Sequence, residues 1–427
     1  MRAEILTIGD ELLRGEIVDS NKAFLSDRLL SLDIETRFHA SVRDDPVDME
    51  DAFRRAAGRS DIALVSGGLG PTRDDLTIEA LARTFGRRLQ VDRASLEEIK
   101  AFFARFGREM APNNAKQASF PEGAEVLPNP IGTAPGCLLE ESGTLLFCMP
   151  GVPRELQRMM DEQVLPRISK RLAGAEGRPV VRAALLRTFG IGESNLDEEL
   201  ADIAREDGVS LGFRTAFPDN YLRPVVRGDT ASEAETKLAR ICDAIRERLG
   251  PLVYGSDAET MEEVVGGLLR ERGKTLAVAE SCTGGLLGER ITAVPGASDY
   301  FLGGAVTYSD RAKVALLGVP EQILREHGAV SEPVVLAMAE GARERFGADL
   351  AVSTTGIAGP GGGSDEKPVG LVWVGFSDGG ETAAQEFEFP LDRSRHRMAT
   401  AQVALDWVRR ALLGEERVAL RYLRRSR

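Results

Sequence analysis

The sequence predicts an α/β protein in three parts, and three observations carry that reading. Short β-rich runs alternate with helical stretches, glycine clusters follow directly on those runs, and 427 residues exceed what one hydrophobic core usually organises. In parallel sheets ligands bind at the carboxyl ends of strands, so the glycine clusters are where function is expected.

In the first part, residues 1–172, the runs AEILTIG, DIALVSGG and TLLFCMPG read as strands. NKAFLSDRLLSL and DLTIEALARTF read as the helices between them. The second part, 173–255, is a small α+β module. Its strands are PVVRAALLRTFG, VSLGF and NYLRPVVRG, and its helices are ESNLDEELADIAR and TASEAETKLARICDAIRERLG. Its GIGES turn opens a helix and fits either an anion cap or a plain helix start. The third part, 256–415, begins with the helix ETMEEVVGGLLRERG and the strand TLAVAE and closes with the helix HRMATAQVALDWVRRALL, leaving 416–427 as a basic tail.

Composition narrows the function classes. Hydrophobic residues make up 43% and charged residues 28%, and no apolar run reaches the roughly 18 residues that span a bilayer, so no membrane partner is expected. The opening MRAEILTIGDELL lacks the basic, apolar and small-residue series of a secretion signal, which makes a cytoplasmic location the expectation. Cys137, Cys148, Cys242 and Cys282 form no C-x-x-C pair, against a disulfide framework or a thiolate zinc site. His39, His327 and His396 stand far apart, against a histidine metal centre or a Ser-His-Asp triad. A net charge of −13 speaks against direct nucleic-acid binding, and the tail RVALRYLRRSR reads as a solvated helix end.

Near the N-terminus, SGGLGPTRDD (66–75) follows a strand and precedes a helix, so its glycines let backbone amides approach a phosphate. Asp74 and Asp75 cannot hold phosphate unaided, which points to a hydrated divalent cation or a ribose hydroxyl. Asp10, Glu11, Asp19 and Asn21 cluster after the first strand, and oxygen-only donors suit magnesium or manganese better than zinc. Lys116 reads equally as a phosphate partner or as a surface lysine.

G-D-E-L-L-x-G at 9–15, G-G-L-G-P-T-x-D-D at 67–75 and N-P-x-G-x-A-P-G at 129–136 resemble the molybdopterin-binding-like domain of the CinA (competence/damage-inducible) family. The resemblance implies a three-layer α/β domain that either binds molybdopterin or hydrolyses the pyrophosphate of ADP-ribose with a divalent metal (Mg, Mn or Co). It implies Gly67, Gly68 and Gly70 as the phosphate cradle, with Lys116 beside them, and Asp74, Asp75 and Asp10 as metal residues.

Further on, the strand TLAVAE delivers the chain into SCTGG (281–285) and then a helix, so Ser281 sits on a strand-to-helix turn with free backbone amides expected beside it. Tyr308 ends a strand and Lys313 follows on a helix five positions later, which lets both point into one cleft. A buried lysine loses proton affinity and can then serve as the base that a serine otherwise lacks. The glycine loop after Thr355, with Gly356 and Gly359, offers donors for a phosphate or carboxamide, with Lys367 nearby. Arg393, Arg395 and Arg397 open the last helix as a phosphate site or a solvated charge run.

A-E-S-C-T-G-G, Y-S-x-x-x-K and T-G-I-A-G-P-G-G resemble the C-terminal domain of the same family, the nicotinamide-mononucleotide amidohydrolase (PncC-type) group. That resemblance implies hydrolysis of nicotinamide mononucleotide to nicotinate mononucleotide and ammonia. Ser281 is then the nucleophile, Tyr308 and Lys313 activate it, and Thr355 joins the amide site. Gly284, Gly285, Gly356, Gly359, Arg393 and Arg397 contact substrate. Asp310 stands where the family usually has asparagine, and its charge would hold the lysine protonated. The resemblance also implies a homodimer. Two alternatives follow from it: only one head is active, or the protein is a non-catalytic partner in DNA uptake or repair.

Overall fold

The computed structural model describes residues 1–173 and 179–416, so the expected basic tail lies, beyond Glu416, outside the described residues. The chain divides into two compact units, Met1–Arg182 and Ala183–Arg427.

The first unit is built on a six-stranded sheet. Its strands are β1 (Arg2–Ile8), β2 (Glu35–Val42), β3 (Ile62–Ser66), β6 (Glu125–Leu127), β7 (Gly136–Glu141) and β8 (Thr144–Met149), in the order β2-β1-β3-β8-β7-β6; β4 (Leu89–Val91) and β5 (Ser119–Pro121) form a separate ribbon. The first four in that order run parallel and β7 and β6 antiparallel, so the expected parallel sheet carries an antiparallel edge. Helices α1 (Asp10–Leu13), α2 (Ser20–Leu30), α3 (Pro46–Arg59), α4 (Thr77–Thr84), α5 (Arg93–Arg105), α6 (Pro153–Met159) and α7 (Leu165–Ala173) cover the sheet. Both faces are filled, one by Phe53, Leu81 and their neighbours, the other by Leu25, Leu29 and Met160. Local sequence starts the helices: Asp45 caps α3 by accepting from the amides of Val47 and Asp48, with Pro46 in the first turn.

The second unit holds two sheets. The middle module packs α8 (Glu193–Glu199), α9 (Ala201–Ala204) and α10 (Ala231–Leu249) against a sheet ordered β11-β12-β10-β13. These strands are β10 (Leu186–Thr188), β11 (Val209–Ala216), β12 (Asp219–Gly228) and β13 (Val253–Ser256), and the short β9 (Val180–Ala183) falls at the boundary of the units. Strand β13 was not foreseen. VYGS is too short to show an alternating pattern, and its place is set by pairing with β10.

The last sheet has the order β15-β14-β16-β17-β18, from β14 (Leu276–Glu280), β15 (Phe301–Val306), β16 (Leu350–Gly356), β17 (Leu371–Ser377) and β18 (Thr382–Glu388). β15, β14 and β16 pair in parallel, and β17 pairs antiparallel with both β16 and β18. One face packs on α11 (Met261–Arg272), α12 (Leu286–Thr292) and α16 (Arg393–Leu413); the other packs on α13 (Asp310–Leu317), α14 (Glu321–His327) and α15 (Glu332–Phe346). A capping box between Thr260 and Glu263 starts α11 and Gly273 in the left-handed region ends it. Within this unit the β11–β12 hairpin tip joins the two sheets: Asp219 accepts from Tyr254 Oη at 2.8 Å and from Gln402 Nε2 of α16 at 2.6 Å. No helix among the described residues is long and apolar enough to cross a membrane.

Candidate active sites

In the second unit β14 ends at Glu280, and the next residues form the turn into α12. The Ser281 amide donates to the Thr354 carbonyl at 3.0 Å, which prolongs the β14–β16 pairing and fixes the serine at the carboxyl end of two parallel strands. Lys313, in the second turn of α13, is 1% exposed, and its Nζ lies 3.2 Å from Ser281 Oγ and 2.9 Å from the Thr307 carbonyl. Burial pushes the Lys313 ammonium below the ordinary lysine value, against the opposing charge of Asp310. The cost of desolvation therefore outweighs the aspartate at the position where the family usually has asparagine. Cys282, buried, has its thiol pushed up to about 12 by burial, so it stays protonated, and the Ser281 hydroxyl is the group of the turn bonded to the amine.

The expected partners of this pair stand around it in different ways. Tyr308 is 60% exposed and its hydroxyl receives a hydrogen bond from Arg393 at 2.8 Å; it is bonded to neither Ser281 nor Lys313. The second Arg393 nitrogen donates to the Gly359 carbonyl at 3.0 Å, so one guanidinium ties the tyrosine to the glycine loop. Arg397 donates twice to the Thr283 carbonyl, at 2.9 and 2.7 Å, and braces the turn after Ser281. Thr355 gives its hydroxyl to the Ala329 carbonyl at 2.8 Å, while Thr354 shares a bond with Thr283 at 2.8 Å. Lys367 reaches the His327 carbonyl. Arg395 stacks over Phe217 of the middle module, away from this cluster.

The expectation of free amides after Ser281 is corrected at the start of α12. Gly284 and Gly285 adopt the left-handed conformations the turn requires, at φ of 59° and 95°. The Gly285, Leu287 and Gly288 amides, however, donate to the carboxylate of Glu280 at 2.9, 3.0 and 2.8 Å. A buried carboxylate of the protein thus occupies the helix start. Glu280 stood inside the A-E-S-C-T-G-G motif, and the signal was an acidic residue just ahead of a helix N-terminus.

In the first unit a cavity of about 450 Å³ opens at the carboxyl ends of β1 and β3. Gly67, Gly68, Gly70, Asp74 and Asp75 line it, together with Glu11, Asp44 and Glu155. Gly68 has no room for a side chain because the Thr77 hydroxyl occupies that position, and Thr77 in turn donates to the Gly67 carbonyl. Asp75 accepts from the Thr72 amide at 2.8 Å and shapes the loop. Lys116 donates to the Thr72 and Asp75 carbonyls at 2.5 and 2.8 Å, so it buttresses the loop from behind and lines a smaller neighbouring cavity. Asp10 is not in the wall: its carboxylate is held by Arg14 at 2.7 Å and Arg43 at 3.4 Å, and Asp44 takes the place expected for it. Burial raises the Asp44 carboxyl above its usual value, and the neighbouring Glu11, Asp10 and Asp74 charges add to the shift. Asp74 is held low by hydrogen bonding from Thr72.

Among the described residues no three acidic, histidine or cysteine side chains gather into a ready-made metal cage. The carboxylates of the cavity wall fit a divalent cation of the magnesium type, which is commonly held by one or two carboxylates and completed by the phosphates of its ligand.

Three family models match the chain. Residues 4–170 match the family model described as a probable molybdopterin binding domain, 184–255 the damage-inducible protein CinA KH domain, and 258–412 the CinA C-terminal domain. The CinA-like protein of Dictyoglomus thermophilum is 41% identical over 414 residues, 97% of this chain and 100% of that one. The CinA-like protein of Syntrophus aciditrophicus is 45% identical over 417 residues, 96% of this chain and 98% of that one. Among solved structures, a CinA protein of unknown function from Thermoplasma acidophilum is 34% identical, covering 40% of this chain and 97% of its own, with a TM-score of 0.37.

Proposed function

The chain belongs to the CinA-like family, and from that premise we propose that its C-terminal site hydrolyses the carboxamide of nicotinamide mononucleotide, with Ser281 as nucleophile and Lys313 as base. The observation that carries this reading is the buried Lys313 Nζ, 3.2 Å from Ser281 Oγ with its proton affinity lowered. A neutral amine there accepts the hydroxyl proton as Oγ attacks the amide carbon. The same ammonium returns that proton to the departing nitrogen, which leaves as ammonia. Water, deprotonated by the neutral lysine, then cleaves the acyl-serine to give the carboxylate and regenerate the hydroxyl. The Thr307 carbonyl fixes the amine through the cycle by accepting its second hydrogen bond. Arg393 and Arg397 hold positive charge at the mouth of the site for the substrate phosphate.

The test is ammonia release from nicotinamide mononucleotide by the full chain and by Ser281→Ala. Undiminished release by the variant, or none by the wild type, ends the proposal.

A second reading concerns the first unit, and the carboxylate-lined cavity beside the Gly67–Gly70 turn favours it. We propose that this unit hydrolyses the pyrophosphate bond of ADP-ribose. A divalent cation, when bound, supplies charge neutralisation and an activated water. Gly67, Gly68 and Gly70 let the backbone approach the phosphates, and Asp44, Asp74 and Asp75 offer the oxygen donors. Release of AMP and ribose 5-phosphate from ADP-ribose, dependent on magnesium or manganese, is the product assay that decides it.

A further inference from the structure

Helix α16 is gripped from two sides. At 3.6 residues per turn, Arg393 and Arg397 share one face of it, and Arg395 and Gln402 share the opposite face. The first face meets the serine turn and the glycine loop, through Arg397 on the Thr283 carbonyl and Arg393 on Tyr308 and Gly359. The second is held by the tip of the β11–β12 hairpin. There the Arg395 guanidinium lies 5.5 Å from the centre of the Phe217 ring, and Asp219 accepts from Gln402 at 2.6 Å.

Gln402 is fully buried and its amide is engaged at both ends. Its carbonyl oxygen accepts from Arg290 of α12 at 2.6 Å, and Arg290 also donates to Glu262 of α11 at 2.7 Å. Arginine can only donate and an ionised carboxylate can only accept, so one orientation of the amide satisfies both neighbours. A largely buried chain of hydrogen bonds, Tyr254–Asp219–Gln402–Arg290–Glu262, therefore ties the hairpin to all three helices on that face of the last sheet. Such a chain fixes direction and spacing, which apolar packing leaves adjustable. Two of the three helices matter for the site: α12 leads out of the serine turn, and α16 carries the arginines.

We propose that Asp219, reaching in from the middle module, is a positioning residue of the amide-cleaving site: through Gln402 and Arg290 it sets the arginines of α16 against the serine turn. The inference rests on the amidase reading and deepens it, because substrate binding in one module then depends on a side chain of another. Ser281 and Lys313 are held by the Thr354 and Thr307 carbonyls and lie outside this chain. The effect therefore falls on binding of the substrate phosphate and spares the chemical step.

Steady-state ammonia release from nicotinamide mononucleotide by the full chain tests it, at a temperature well below the unfolding midpoint of each variant. Asp219→Ala is expected to raise KM about tenfold, the scale of one hydrogen bond to a charged group, and to change kcat less than about twofold. Asp219→Asn keeps an acceptor for Gln402 and is expected to recover most of that loss. Gln402→Met is close to the native shape and leaves Asp219 with Tyr254 and Arg290 with Glu262. It breaks the chain one link further on and is expected to raise KM to a similar extent, with the double variant no worse than either single one. An unmoved KM in Gln402→Met, a loss confined to kcat, or equal defects in Asp219→Asn and Asp219→Ala overturns the positioning role and leaves the amidase reading standing. No ammonia release by the wild type overturns both.

Discussion

The guanidinium of Arg393 donates to the Tyr308 hydroxyl at 2.8 Å and, through its other nitrogen, to the Gly359 carbonyl at 3.0 Å. One planar side chain therefore joins the start of α16, the end of β15 and the glycine loop, a geometry lysine cannot reproduce. Arg393→Lys is expected to raise KM for nicotinamide mononucleotide about tenfold, since a hydrogen bond to a charged group contributes roughly 1.5–3 kcal/mol. Steady-state ammonia release measures this, and an unchanged KM would show that the rim does not shape substrate binding.

Lys313, the proposed base, is buried at a cost to the fold. Its pKa is lowered by burial, so the penalty on folding is complete below that lowered pKa and disappears above the ordinary value of about 10.4. Lys313→Met is expected to abolish ammonia release while raising the thermal midpoint by a few degrees at pH 7. A midpoint that falls, recorded by calorimetry, would mean that the amine stabilises its surroundings.

Asp310 raises the proton affinity of Lys313 and burial lowers it further than that. On the proposed mechanism the active form is the neutral amine, so the rate is expected to rise with pH until the lysine has lost its proton. Asp310→Asn removes the opposing charge and is expected to shift this rising limb to lower pH by less than about one unit, because Asp310 is exposed to solvent. A limb shifted to higher pH would contradict the role given to Lys313.

Burial pushes the Asp219 carboxyl up to about 6 in the second unit, despite hydrogen bonding from Tyr254 and the charges of Arg290 and Arg187. The folded state holds this proton more tightly than the unfolded chain does. Stability is therefore greatest below about pH 4 for this group, and on the order of 2 kcal/mol is lost as pH rises to about 6. Asp219→Asn is expected to flatten the urea midpoint of that unit between pH 4 and 6. An identical slope in wild type and variant would place the titration elsewhere.

Chelation separates the two heads. EDTA is expected to stop ADP-ribose cleavage and leave ammonia release unchanged, because the proposed amide cleavage takes its nucleophile and its base from the hydrogen-bonded Ser281 and Lys313 side chains. Loss of both activities in one assay series would refute the division of labour.

Much of this was legible in the residues, and the remainder has physical causes. β14 and its serine turn were readable because TLAVAE is an apolar run ending in glycines, and the arginines of α16 because they follow an Asp392 cap. The place of Tyr308 relative to Lys313 was not, because a spacing of five residues across a strand end and a helix cap does not fix direction. Asp44 was overlooked because it follows β2, a strand whose half-exposed pattern carries little signal, and it reaches the cavity only because β2 lies beside β1. Asp10 looked like the better candidate because sequence alone does not reveal that Arg14 and Arg43 hold its carboxylate.

The carboxylate of Glu280 leaves the mouth of α12 electrically quiet. On the proposed reading a dianionic substrate therefore gains nothing from that helix, and its charge falls to the side chains rooted in α16. Recognition of the phosphate tail and attack on the amide would then belong to separate walls, so that a ligand without the tail would meet an intact nucleophile with little to hold it there.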